Sequence, residues 1–97
     1  MSSQDSVKIL WTPRAAEDLE QIVEYIATKS LDSATRVADR IYTEIMELTK
    51  MPEVGRLGGF PGTRELVFTP WPYIAVYRVT ADAIRILRVR HAAQSWL

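Results

Sequence analysis

The sequence contains no cysteine and a single histidine, His91, among 97 residues. Without cysteine there are no disulfides, thiolate zinc sites, iron–sulfur clusters or thiol nucleophiles, and no sign of an oxidising compartment. A lone imidazole excludes a histidine-clustered metal site, and the C-terminal half has too few acids for a carboxylate one, so no metal and no cofactor are expected. Glycine is confined to Gly55, Gly58, Gly59 and Gly62. No stretch approaches the ~18 apolar residues of a membrane span. The opening Met1-Ser2-Ser3-Gln4-Asp5-Ser6 has neither the basic nor the apolar region of a signal peptide. A soluble, cytoplasmic protein without membrane association is the expectation. At this length the chain supports one hydrophobic core, hence one domain spanning 1–97.

The net charge is zero, but its distribution is uneven. Residues 1–53 hold six bases against ten acids, whereas residues 54–97 hold six bases, all arginine (Arg56, Arg64, Arg78, Arg85, Arg88, Arg90), against Glu65 and Asp82. The balances are −4 and +4. Planar, forked guanidinium groups suit phosphate or carboxylate partners. The plainer alternative is that strand-borne arginine offsets helix-borne acid within one domain.

Residues 7–11, Val-Lys-Ile-Leu-Trp, read as a strand ended by Thr12-Pro13. Thr12 can cap a helix with Pro13 in its first turn, and Glu17 and Asp18 are expected to favour its positive end. Ala15, Leu19, Ile22, Val23 and Ile26 recur at helical spacing, predicting an amphipathic helix over 13–28. After Thr28-Lys29-Ser30, residues Ala34, Val37, Ala38, Ile41, Ile45 and Leu48 predict a second helix over 31–50, stopped by Pro52. So short a connection folds the helices into a hairpin. Residues 53–62 hold all four glycines and are expected to be a loop.

Beyond Thr63 the period becomes two, predicting strands over 63–68, 73–79 and 83–90, joined by turns at 69–72 and 80–82. In the last strand the apolar face switches midway, from Ile84 and Ile86 to Leu87 and Val89. Either a bulge intervenes or the strand is central and covered on both faces. The expected fold class is α+β: an N-terminal strand, an antiparallel two-helix hairpin, then a three-stranded antiparallel meander in one sheet packed on the helices.

Chemically, the sequence offers Arg56, Arg64, Arg78, Arg88, Arg90 and His91, expected near one end of the sheet. In a metal-free RNA-cleaving site, arginines would hold the scissile phosphate and an imidazole would move a proton. The same residues also occur on ordinary protein-binding surfaces. Ser95 lies outside any nucleophile elbow, and the Gly55–Gly59 segment lacks the lysine and following helix of a phosphate loop. Most aromatics, Trp11, Tyr25, Tyr42, Phe68, Tyr73 and Tyr77, fall where core packing is expected. Phe60, Trp71 and Trp96 fall in a loop, a turn and the tail, where they either meet a partner or fold back onto the core.

The order of these segments resembles the RelE/ParE superfamily of toxins from bacterial type II toxin–antitoxin modules. The resemblance spans nearly the whole chain. It rests on Trp11-Thr12-Pro13-Arg14-Ala15-Ala16-Glu17-Asp18-Leu19 with Ile22 and Tyr25-Ile26, on Pro52-Glu53-Val54-Gly55-Arg56, on Gly62-Thr63-Arg64-Glu65-Leu66, on residues 73–79, and on residues 84–91 ending Arg90-His91. Within the superfamily, RelE-like members cut messenger RNA in the ribosome and ParE-like members poison DNA gyrase. The Gly55-Arg56 loop, the Pro61-Gly62-Thr63-Arg64 entry and the Arg90-His91 ending look more like the ParE branch. Neutrality, with pI near 6.6, departs from the strongly basic RelE-like pattern. Ala92 also stands where some ribosome-dependent relatives have tyrosine.

The resemblance therefore implies a growth-inhibiting toxin acting on gyrase, with ribosome-dependent cleavage or a non-toxic interaction domain as alternatives. Under the cleavage alternative alone, Arg56, Arg64 and His91 would be catalytic. Arg78, Arg88, Arg90, Trp71 and Trp96 are the expected contacts to antitoxin or target. A cognate antitoxin encoded beside the toxin is implied, its acidic residues neutralising the arginine half.

Overall fold

Residues 7–93 are described by a computed structural model. They form β1 (Lys8–Trp11), α1 (Pro13–Ala27), α2 (Leu31–Glu47), β2 (Arg56–Leu57), β3 (Arg64–Val67), β4 (Tyr73–Val79) and β5 (Ala83–His91). Thr12 caps α1, its hydroxyl accepting from the Ala15 N–H at 3.0 Å, and Pro13 occupies the first turn, where its missing N–H costs nothing. Glu17 and Asp18 do not complement that helix end, because the first turn contains no acid. Ser30 caps α2 by accepting from the Ser33 N–H at 3.1 Å. That helix ends at Glu47, three residues before the expected stop, as Leu48 and Thr49 donate to carbonyls three residues back.

The sheet order is β1-β5-β4-β3-β2. The expected meander of β3, β4 and β5 is present, and β1 joins the far edge of β5 in parallel. Inside the segment expected to be wholly loop, Arg56 and Leu57 pair with Glu65 and Arg64 as a short fifth strand. The Gly58 N–H donates to the Thr63 carbonyl at 2.8 Å and closes that hairpin.

The face switch in β5 is caused by a bulge. The strand is central, and its register against β4 jumps from Tyr77↔Ile86 to Val76↔Arg88, leaving Leu87 as the extra residue of a bulge. As a result Ile84, Ile86 and Val89 all enter the core. That core lies between the helices and one face of the sheet. Leu19, Val37, Ile41 and Ile45 from the helices meet Phe68, Ala75, Tyr77, Ile84, Ile86 and Val89. Tyr25 and Tyr42, expected in the core, are instead 63% and 52% exposed, because they lie on the outer flanks of the helices. Among the described residues, no helix is long and apolar enough to cross a membrane.

Candidate functional site

β1 leaves the sheet opposite Ile86, and beyond that point the edge of β5 lacks a strand neighbour. The start of α1 satisfies it instead. The Thr12 N–H donates to the Ile86 carbonyl at 3.0 Å and its hydroxyl donates to the Leu87 carbonyl at 3.2 Å. One turn later Asp18 accepts from the Val89 N–H at 3.0 Å and from Arg88 through Nε at 2.7 Å and Nη2 at 3.1 Å. This paired hydrogen bond raises the already high pKa of Arg88. Arg88 is thus half of an α1–β5 fastening, and reversing its charge would set two carboxylates against each other.

The C-terminal end of β5 borders a pocket of about 330 Å³ lined by Asp18, Tyr25, Tyr73, Arg88, Arg90 and His91, among others. His91 stands opposite Tyr73 in the sheet, the rings meeting edge to face with centroids 5.8 Å apart. Its Nδ1 accepts from the Ala93 N–H at 3.1 Å. Burial first, and then the neighbouring Tyr25, raises the pKa of Tyr73 above the ordinary phenol value, so this ring is neutral at physiological pH.

Arg56 and Arg64 lie elsewhere. Arg56 pairs with Glu65 at 3.0 Å. Arg64 donates through Nη1 to the carbonyls of Gly55, at 2.8 Å, and Glu53, at 3.2 Å. The same segment is held from beneath by Tyr77, whose buried hydroxyl accepts from the Gly55 N–H at 2.9 Å and donates to the Pro52 carbonyl at 2.8 Å. Burial raises the Tyr77 pKa, the Gly55 N–H and Arg64 opposing it in part.

The sheet register separates these groups. Arg64 stands opposite Tyr77 and His91 opposite Tyr73, at opposite ends of β4 and on its two different neighbours. Four residues along and two strands across amount to about 16 Å between Cα positions. The arginines and the histidine, expected at one end of the sheet, are therefore divided between two.

Of the other expected contacts, Arg78 is exposed and reaches the carbonyls of Pro61 and Gly62 at 3.3 and 3.4 Å. Arg90 is half-buried in the β5 pocket. Trp71 folds back rather than out: it packs on the core and lies under the Arg40 guanidinium, 5.4 Å from its ring centroid. Trp96 falls outside the described residues. Phe60 is 46% exposed. Asp18 and Tyr77 organise the site without being among the residues that the sequence singles out. A usable signal for Asp18 was its position between Ala15 and Ile22 in the apolar stripe of α1, where a charge requires a partner.

The family model for the ParE toxin of the type II toxin–antitoxin system parDE matches residues 9–96. The chain is 44% identical over 89 residues to Y4kP of Sinorhizobium fredii, covering 92% of both chains. It is 41% identical over 87 residues to toxin RelE2 of Caulobacter vibrioides, covering 90% of this chain and 97% of that one. Its fold matches a chain of the chromosomal ParDE toxin–antitoxin system from P. aeruginosa with a TM-score of 0.79 at 29% identity, over 90% of this chain and 97% of that one. Match, order of elements and the arginine-bearing sheet agree: the chain belongs to the ParE toxin family of type II toxin–antitoxin systems, within the RelE/ParE superfamily.

Proposed function

We propose that this toxin acts in the cytoplasm by binding and poisoning DNA gyrase, and that a cognate antitoxin encoded beside it neutralises it. The observation that carries this reading is the separation of Arg56 and Arg64 from His91 in the sheet. Arg64 and His91 stand about 16 Å apart at their Cα positions, which works against one phosphate being shared within the ~3 Å that proton exchange requires. Moreover, the guanidinium of Arg56 is engaged by Glu65, and that of Arg64 by backbone carbonyls. These commitments of Arg56 and Arg64 support action through surface contact rather than phosphate chemistry. Arg78, Arg90, Trp71 and Trp96 are proposed as contacts to antitoxin or target.

The name of the 41% identical relative, RelE2, is the ground for a second reading, cleavage of ribosome-bound messenger RNA with Arg56, Arg64 and His91 as catalytic residues. One pair of assays separates the two. Purified toxin is added to gyrase with relaxed plasmid, and separately to translating ribosomes with a defined messenger RNA, each with and without antitoxin. Gyrase poisoning predicts lost supercoiling and trapped cleaved plasmid, relieved by antitoxin and retained by His91→Ala. Cleaved messenger RNA with gyrase unaffected at large molar excess would reverse the assignment.

A further inference from the structure

Along the seam between α1 and α2, on its solvent side, runs a groove of about 980 Å³. Its floor is Ala16, Leu19 and Val23 of α1 with Ala38 of α2. Leu19 is buried, and the two alanines are too short to fill the space between the helices. Tyr42 forms one wall, its ring set against Trp11 with centroids 5.4 Å apart, which fixes it in place and leaves it half exposed. Glu17 and Glu20 form the opposite rim. From Pro13 to Val23 the groove follows α1 for about 15 Å, or about three helical turns.

Charge decides what can lie there. Glu17 and Glu20 at the rim, Glu24 one turn further along α1 and Asp39 beside Ala38 are all exposed, and none makes an ion pair among the described residues. Arg14, at one end, is the one cation in the lining. A nucleic-acid backbone or an anionic lipid surface would be repelled. So would a second copy of this chain laid groove to groove, which would set carboxylates against carboxylates. An acidic segment of the antitoxin suits the rim no better. A helix with a narrow apolar stripe flanked by lysine or arginine matches both features. Its apolar side chains leave water against Ala16, Val23 and Tyr42, and its cations meet carboxylates that have no other partner.

Resting on the gyrase reading, we infer that this groove docks the toxin's protein target through a basic amphipathic helix of that target. Arg78 follows the core residue Tyr77 in β4 and so points to the side of the sheet away from the helices. A target held in the groove therefore leaves Arg78 open, and an antitoxin that contacts Arg78 can engage a toxin already on its target.

The test is titration of immobilised gyrase with full-length toxin, comparing wild type, Glu17→Lys combined with Glu20→Lys, and Ala16→Gln. Glu47→Lys, outside the groove, is the control. All these positions are exposed, and unchanged circular dichroism melts verify the fold. The double charge reversal is expected to weaken gyrase binding about tenfold or more, the loss shrinking as salt rises. Ala16→Gln lays a long neutral side chain on the floor and should weaken binding several-fold at any salt. Glu47→Lys should bind gyrase as wild type does, and every variant should keep its calorimetric affinity for antitoxin. A short helical peptide of leucine and lysine should compete with gyrase, and its leucine and glutamate counterpart should not; competition by both would overturn the basic-helix assignment. Equal gyrase affinities for wild type and the groove variants would overturn the groove while leaving the gyrase reading intact. No gyrase binding by wild-type toxin would overturn both. Antitoxin binding weakened as much as gyrase binding would assign the groove to the antitoxin and overturn the inference.

Discussion

Replacing Asp18 with alanine tests whether α1 is fastened to the sheet by a charge or merely by apolar packing. The carboxylate accepts three hydrogen bonds, two from Arg88 and one from the Val89 N–H, and its side chain is 13% exposed against 26% for Arg88. Removing one partner of a fully buried pair costs about 3–5 kcal/mol because the other charge is left unpaired. Here the guanidinium can turn partly into water, which lowers that component to about 2 kcal/mol. The orphaned Val89 N–H adds about 1 kcal/mol. The expected loss is about 3 kcal/mol, or a melting midpoint about 15 °C lower for a domain of this size. Urea unfolding followed by tryptophan fluorescence would measure it. Asp18→Leu combined with Arg88→Met should recover most of the loss, since an apolar pair of similar volume replaces a buried ion pair at little cost. A loss below about 1 kcal/mol for Asp18→Ala would refute the reasoning, as would a double variant as unstable as the two single variants summed.

Gly55→Ala should be among the most damaging single-methyl additions, because its Cβ would lie 2.6 Å from the Tyr77 hydroxyl and 2.8 Å from the Glu65 carbonyl. A loss of about 2–3 kcal/mol and broadened amide signals from residues 53–57 are expected in thermal melts and NMR spectra. Tyr77→Phe leaves the Gly55 N–H and the Pro52 carbonyl without their partner and should cost about 1–3 kcal/mol. It also changes the alkaline limb of stability. Burial raises the Tyr77 pKa above 10.0, so the folded chain keeps a proton that the unfolded chain releases. Stability from this group is therefore complete below about pH 10 and declines as the pH rises further. Melts between pH 8 and 11 should fall more gently for Tyr77→Phe, with Tyr73 supplying the remaining slope.

Local chemistry made much of this fold legible. Thr12-Pro13 starts the first helix, Thr28-Lys29-Ser30 divides it from the second and Pro52 lies beyond that one, and the apolar spacing of three and four identifies the face that enters the core. The strands of the meander follow from their period and turn residues. What could not be read was pairing between distant segments. Nothing in residues 8–11 says that they lie beside 83–86, or in parallel, and a strand of only Arg56 and Leu57 is too short to show alternation. The site followed the same rule. The arginines were visible as residues, but their commitments, Arg88 to Asp18, Arg56 to Glu65 and Arg64 to two carbonyls, depend on the assembled sheet. So does the distance between Arg64 and His91, which follows from antiparallel register and from no spacing along the chain.

The parallel pairing of β1 with β5 has a consequence for how the toxin comes into being. The first strand waits for the last, and the fastening between Thr12 and Leu87 joins partners 75 residues apart. Until β5 is in place, the core under the helix hairpin lacks Ile84, Ile86 and Val89, and β1 has no strand to pair with. Because closing so long a loop precedes the reward of the contacts it brings, the β1–β5 pairing is expected to form late in folding. An antitoxin already present when β5 emerges would meet a surface forming for the first time.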